Sequence, residues 1–597
     1  MPPKRQAART RAGRKGADVD ESTHVSRSTA SIFQPQNIEK TLAEQRAAQP
    51  PQIIPENTGS ERDIELENAG FPFNVIYRVQ DYVSENINFL LFVQLLVFSF
   101  ILQLVILHRS KFDHLDANMY PVAFNWAGIL SALILNYIKS EKKPKDVPEF
   151  NYLYSIFFPF LINLVHYDAD WFLANLALNY FIVDKLNPIF RVFSAVGFYE
   201  VYNESTKLDT FSFIQICAFQ YLNSFVLNYI NDFNIPTIDE ENEGEGDVEE
   251  VDEDQYRTFS KAEIQIISLL LTNLFFNKDF VSQYLPLAIF QKLLISFILS
   301  ILALYYLHQF LPSVVSMVAF SGIFYGLTIF QLNYVLGGQN AVSWLYDYIF
   351  LDEEKTQILQ VWSAILLVTI PTTFFLVDKL GFNIRRKIWH FVIIGILGYR
   401  SEVLMQNIEF TLISLLGSIV VFLVVELVRF NRITFIGQYL AHTLAKFQDK
   451  KDLKGPLNVS YIYLIVGATI PIVYDYILFG AEHASVIRYM GIIALGLGDS
   501  MASIIGQSFG SYKWKGSDKS VQGSIAFVVA TFSSFVALDY ALTEYAGEIY
   551  VPVGNWENLL VSTLVCAVLE GTSNLNDNFF VPILLPLQYE LLNRCFP

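Results

Sequence analysis

The sequence predicts an all-α, polytopic helical membrane protein, and three observations carry that prediction. Long apolar runs recur along the chain near 88–107, 120–138, 210–230, 285–308, 311–335, 357–377, 407–428, 459–479 and 521–538. Each approaches or reaches the roughly 20 residues that span a bilayer as a helix. Charge is sparse: 17% of the 597 residues are charged, 53% are hydrophobic, and the mean hydropathy is +0.35, where a soluble chain would carry more charge. The runs are also too long for the strands of a transmembrane barrel, which excludes an all-β fold. Shorter or polar-broken runs near 152–182, 262–276, 388–399, 433–444, 486–497, 558–569 and 579–592 bring the expectation to about 13–17 transmembrane helices.

Three regions follow in order. Residues 1–70 are polar and irregular, and MPPKRQAARTRAGRK has no apolar centre. It is therefore not a secretory signal, and a disordered cytosolic tail is expected. Residues 71–380 form an N-terminal multi-span region. Within it, 239–254 (DEENEGEGDVEEVDED) is an acidic, low-complexity loop expected to be disordered. Much of the net charge of −17 lies in this loop, so it says little about a substrate. His166, Asp168 and Asp170 sit between two apolar runs and read as interfacial, and Asn203-Glu204-Ser205 and Asn458-Val459-Ser460 are glycosylation sequons by pattern only. Cys217, Cys566 and Cys595 offer neither a disulfide framework nor a zinc spacing.

The character changes after 380, and 381–597 reads as a C-terminal catalytic membrane domain. Basic clusters occur at Arg385-Arg386-Lys387, at Lys446 with Lys450, Lys451 and Lys454, and at Lys513, Lys515 and Lys519. Basic loops tend to stay cytoplasmic, so the three are expected on one membrane face. Arg386, Lys387 and His390 share one helical face.

The stretch LGLGDSMASIIGQSFGSYKWKGSDKS, 495–520, places Asp499 inside an apolar run. An acid at membrane depth is costly and by default functional. Asp499 is also in a position to cap a helix starting inside the membrane, whose N-terminus would suit a phosphate. Gly498, Ala502, Gly506 and Gly510 recur every fourth residue, the small-residue pattern of close helix contact. In LEGTSNLNDNFFVPI, 569–583, Glu570 ends one apolar run and Asp577 precedes another. Irregular backbone at that depth survives only where it lines a polar cavity. Glu426 and Arg429 are spaced to pair within a helix. Serine-protease, zinc-protease and Rossmann patterns are absent. Carboxylates plus cations near one face fit phosphoryl transfer, where catalysis is mostly positioning and charge neutralisation.

The residues LGLGDSMASIIGQSFGSYKWKGSDKSVQGS, LEGTSNLNDNFFVP, RRKIWHF, and ELVRFNRI followed by QDKKDLKGPLNVSYIYLIVG, spanning about 385–590, resemble the CTP-dependent dolichol kinase family. The resemblance implies transfer of the CTP γ-phosphate to dolichol within the bilayer. The product would be dolichyl phosphate, the lipid carrier for protein glycosylation. It also implies a multi-pass protein of the endoplasmic reticulum membrane, with its catalytic face cytosolic and no nucleic-acid partner. Asp499, Glu570 and Asp577 fall on family-typical acidic positions. Gly498, Ser500, Lys513, Lys515, Lys519, Arg386, Lys387 and His390 are the expected nucleotide contacts. Asp499 and Asp577 are the expected ligands of a divalent ion, Mg2+, and Glu570 or Asp577 the base. Where the family usually has Glu-Gly-Thr, this chain has Gln522-Gly523-Ser524. Either that position is not ionic in role, or another acid such as Glu570 serves. Alternatives are a CTP-dependent diacylglycerol or other prenol kinase and, from another class, a transporter. A transporter predicts a matching broken segment in the first half, and none resembles 495–520.

Overall fold

The structure, a computed structural model, describes residues 70–112, 209–232 and 257–597 apart from short gaps at 277, 308–309, 378, 381, 399–400, 449–451, 453–454, 456 and 574, together with Phe158, Leu161 and Ile162. The expectations for the N-terminal tail, the acidic loop, the His166 cluster and the Asn203 sequon lie outside the described residues, as do the runs at 120–138 and most of 152–182.

The protein is an all-α membrane protein. Among the described residues, nine helices are long and apolar enough to cross a bilayer. The chain opens with α1 (Phe73–Ser84) and α2 (Phe89–Leu107). Asn88 caps α2, its side-chain oxygen accepting from the Leu90 and Leu91 amides. Then come α3 (Thr210–Asp232), α4 (Lys261–Phe276), α5 (Leu285–Leu307), α6 (Ser313–Val335) and α7 (Glu353–Leu376). Each of the last four begins within a few residues of a polar or proline-bearing stop, and Asp352 caps α7 through the Glu354 and Lys355 amides.

The C-terminal region holds α8 (Phe382–Gly398), α9 (Ile408–Phe430), α10 (Ser460–Phe479), α11 (Ile487–Ile493), α12 (Ser500–Phe509), α13 (Val521–Tyr545), α14 (Trp556–Gly571) and α15 (Asp577–Cys595). Helix α10 packs against α9, α11 and α15, and α13 packs against α12 and α14. Glycines permit the closest approaches. A side chain at Gly467 would strike the Asn578 carbonyl, and one at Gly491 the Gly467 carbonyl. The core gathers on these helices, with Phe527, Phe535 and Phe580 fully buried.

Alternation of the helices sorts the loops to two ends. The α10–α11 and α13–α14 connections meet at one end, where Ala484–Ser485 pairs in parallel with Tyr550–Val551. The α12–α13 and α14–α15 connections meet at the other, where Lys519 reaches Glu570 and Asp577. A fully buried ion pair secures the first end. The Arg488 guanidinium donates to Asp475 (2.6 Å), to the Leu404 carbonyl (2.7 Å) and to the His483 carbonyl (2.6 Å), and Ser485 donates to Asp475 from its amide and hydroxyl. With every charge and donor satisfied, this network is structural.

The small-residue stripe of α12 is a packing seam. Side chains at Gly506 or Gly510 would meet the Ser520 hydroxyl, one at Gly510 the Gly506 carbonyl too, and one at Gly523 on α13 the Ala502 carbonyl. Replacing Gly510 by Val is expected to destabilise by about 1–3 kcal/mol, the usual cost of overpacking. A thermal melt in detergent checks this; an unchanged midpoint would mean that the helices are not this close.

Candidate active site

The acid expected to begin a helix does not. Helix α11 passes through a π-helical turn, Ala494–Asp499, directly into α12. Asp499 has helical backbone angles and its side chain caps nothing. The expectation of a free helix N-terminus at 499–501 is therefore corrected: the backbone N–H groups there are used within a continuous helix. What the sequence did not display is the reason for the local widening. Gly496 faces Ile394 on α8, and Gly498 faces Thr531 and Phe527 on α13. The π turn is thus wedged between two helices, and such turns often mark functional positions.

The wedge delivers Asp499 to α8. The Lys387 ammonium donates to Asp499 Oδ2, and His390 Nδ1 lies 3.5 Å from the same oxygen. His390 Nδ1 also donates to the Leu495 carbonyl at 2.8 Å. A carbonyl can only accept, so the Nδ1 proton is assigned there. All three side chains are buried. Arg386, the third member of this face, is half-buried, and its charge acts on His390. Gly498 packs, and Ser500 beside Asp499 is fully buried with its hydroxyl unpaired.

The second cluster forms where α14 breaks. Helix α14 ends at Gly571, and α15 restarts at Asp577 with Asn576 as its cap, Oδ1 accepting from the Asn578 amide at 3.1 Å. Lys519 enters from the basic loop. Its ammonium donates to the Glu570 carboxylate, to the Glu570 carbonyl (3.0 Å) and to Asp577 Oδ2 (3.4 Å). Burial alone would lower the Lys519 pKa. The Glu570 and Asp577 charges, the hydrogen bond to Glu570 and the Asp499 charge outweigh it and hold the ammonium above the ordinary lysine range. Asp499 acts on Lys519, so the two clusters share one electrostatic field. Because the shift is upward, the stability it confers is fully present below the ordinary lysine pKa of about 10.4 and is lost only as pH rises through the higher folded value.

The three loop lysines are not equivalent. Residues 511–520 form a tight hairpin in which Lys513 pairs with Ser520, the Trp514 amide donates to the Lys519 carbonyl (3.0 Å), and the Val521 amide donates to the Tyr512 carbonyl (2.8 Å). Lys519 points to Glu570 and Asp577. Lys513 donates to the Asp518 carbonyl at 2.9 Å in an exposed position. Lys515 pairs with Asp81 on α1, and its amide donates to Gln80 Oε1 at 2.6 Å. Helix α1 thus braces the loop, with Phe73 stacked on Tyr512 at 4.2 Å between centroids. Trp514 anchors the other side, donating to the Ser524 hydroxyl at 2.9 Å.

Gln522 sits at the base of this hairpin. Its Oε1 accepts from the Tyr512 amide (3.2 Å) and its Nε2 donates to the Ser511 hydroxyl (2.9 Å). A glutamate in its place would keep the first bond and accept from Ser511 in the second. Gln522→Glu is therefore expected to leave phosphotransfer within about threefold of wild type, since surface substitutions that preserve hydrogen bonding have small effects. A tenfold gain would instead reveal an ionic role that glutamine cannot fill.

Arg385 donates to the Lys446 carbonyl at 3.4 Å, bringing the first basic cluster to Lys446 of the second; Lys450, Lys451 and Lys454 lie outside the described residues. Glu426 and Arg429 form a buried pair of two hydrogen bonds, 2.7 and 2.5 Å, and Glu426 also accepts from Tyr461 and the Asn458 amide. Fully satisfied in this way, they order the start of α10.

Among the described residues, no group of three His, Cys, Asp or Glu side chains converges as a metal cage. A Mg2+ carried by a nucleotide needs only one or two carboxylates beside the phosphates. Asp499, Asp577 and the unpaired Ser500 hydroxyl are oxygen donors of the required hardness, and the set fits that mode.

Comparison with known proteins bears on this arrangement. No family model matches the chain, and no solved structure matches it. Over 458 residues it is 28% identical to a dolichol kinase of Saccharomyces cerevisiae, covering 75% of this chain and 78% of that protein. Over most of its length the chain is thus similar to a dolichol kinase. A dolichol kinase of Schizosaccharomyces pombe is 36% identical over 211 residues, 35% of this chain and 40% of that protein. One from Arabidopsis thaliana is 26% identical over 259 residues, 42% of this chain and 43% of that protein. With these two dolichol kinases the chain shares less than half of their length.

Two further groups, at different ends of the bundle, carry sequence signals of their own. Ser260 and Glu263 have capping-box spacing at the start of α4. Asp475 is an acid in an apolar run, which asks for a partner; that partner, Arg488, lies on the next helix.

Proposed function

We propose that this chain transfers the γ-phosphate of CTP to the terminal hydroxyl of dolichol, in the endoplasmic reticulum membrane with the site open to the cytosol. The observation that carries the reading is the pairing of two acid–lysine clusters, Asp499–Lys387 and Glu570–Lys519–Asp577, at one end of the helical bundle. Phosphoryl transfer asks for fixed cations around the transferring group and a carboxylate near the attacking hydroxyl. The names of the relatives support dolichol as the acceptor.

Each residue then has a task. Lys387 and Lys519 place positive charge where negative charge develops on the phosphoryl oxygens. Asp499 and Asp577 would hold Mg2+ on the nucleotide; when bound, that ion neutralises phosphate charge. Glu570 is largely consumed in holding Lys519, through both its carboxylate and its carbonyl. Asp577, which is more exposed and more distant from Lys519, is the better placed of the two to accept the hydroxyl proton. The acceptor reaches the site sideways from the bilayer.

The test is direct. Purified protein given γ-labelled CTP and dolichol should yield labelled dolichyl phosphate. Label appearing on diacylglycerol and not on dolichol would replace this reading with that of a diacylglycerol kinase.

A further inference from the structure

We propose that Glu263, on α4 and remote in sequence from the acid clusters, is a positioning residue that fixes the loop carrying Asp577. Its carboxylate is buried and divided between two tasks. Oε2 accepts from the Ser260 amide at 2.8 Å, and the Ser260 hydroxyl accepts from the Glu263 amide at 3.3 Å, closing a capping box. Oε1 turns away from its own helix and accepts from the Asn576 amide at 3.2 Å. Asn576 is the cap of α15, and the next residue is Asp577. One hydrogen bond therefore joins the N-terminal half of the chain to the helix break.

The anchor at the other end of that bond is rigid. The Asn231 side chain donates to the Phe259 carbonyl (2.9 Å) and accepts from the Phe259 amide (2.8 Å). A side chain at Gly455 would strike Thr258, so the segment before α4 is pressed against the loop leading into α10. Thr258 also accepts from the Leu457 amide at 3.4 Å. A backbone amide held by a fixed carboxylate has one location, and the residue beside it inherits that location. Capping α4 needs only Oε2; the bond to Asn576 is an added constraint on the site.

The inference rests on the kinase reading, so two kinds of measurement separate them. Glu263→Ala is expected to lower kcat by about 10–100-fold with KM for CTP and dolichol within about threefold, the scale of a misplaced reacting group. Glu263→Gln, whose single amide oxygen can accept from the Asn576 amide or the Ser260 amide but not both, should recover part of that loss and guards against a variant that fails to fold. Ser260→Ala removes the cap but not the bond to Asn576, and should stay near wild type. Hydrogen exchange over residues 571–580 should quicken in Glu263→Ala whatever the activity. Equal losses in Ser260→Ala and Glu263→Ala, or unchanged exchange with wild-type kcat, would overturn the proposal. A wild-type chain inactive on dolichol, with exchange still quickened in Glu263→Ala, would overturn the kinase reading and leave the tether supported.

Discussion

Asp499→Asn abolishes phosphotransfer, by a factor of about 10³ or more, while the protein still folds: this is the expected result, with the magnitude of a lost electrostatic stabiliser in a water-poor site. Asparagine matches the shape of aspartate but carries no charge. The buried Lys387 ammonium would keep a hydrogen-bond acceptor and lose its counter-charge. Breaking a buried pair from one side typically costs about 3–5 kcal/mol, so a lower melting temperature should accompany the loss of activity. The two effects can be separated. Adding Lys387→Met removes the stranded charge, and the double variant should regain stability without regaining activity. His390 still donates to the Leu495 carbonyl in both, so the π turn should persist. Full activity in a folded Asp499→Asn protein would remove Asp499 from the chemistry.

The second large effect is expected at Lys519. Its ammonium is the common partner of Glu570 and Asp577 and lies in the field of Asp499. In Lys519→Met the two carboxylates face each other without a cation, and like charges in a shared site favour the protonated form of one of them. Loss of about 10²–10³-fold in kcat is expected, as for a lost transition-state cation. Lys519→Arg should fall between. It keeps the charge, but a planar fork does not replace a compact ammonium that bridges two carboxylates and a carbonyl. The corresponding change at Lys513, whose ammonium lies on the Asp518 carbonyl, should have little effect. Initial rates of dolichyl phosphate formation for the three variants, at saturating CTP, decide the matter. Equal losses at Lys513 and Lys519 would mean that the loop acts as a general basic surface and not through one aimed side chain.

Much of this protein was legible one residue at a time. The apolar runs declared membrane helices because the length that crosses a bilayer is set by the lipid and not by the partner helices. The fourfold beat of Gly498, Ala502, Gly506 and Gly510 declared a packing seam because side-chain direction along a helix is fixed by its pitch. Acids at 499, 570 and 577 stood out because the surrounding solvent makes them costly. Even the break between Gly571 and Asp577 was visible in its glycine and asparagines.

Partnership was a different matter. Lys387 and Asp499 are 112 positions apart, and Glu263 and Asn576 are 313 apart. A sequence states which groups need a partner, because desolvation is a local penalty, but it does not state which partner arrives. That depends on how helices cross. The same limit explains why Asp499 read as a helix cap. Leu-Gly-Leu-Gly before an acid is a reasonable start signal in isolation, and only the close approach of α8 and α13 on the two glycines keeps the helix running through a π turn. It also explains why three lysines in seven residues looked interchangeable. The hairpin at 511–520 sends one toward the acids, one toward α1 and one along its own backbone. Residue type, spacing and bilayer depth thus determined the class of protein and the kind of chemistry. The packing of helices, which alone sets distances between charges far apart in the chain, decided which lysine meets which acid.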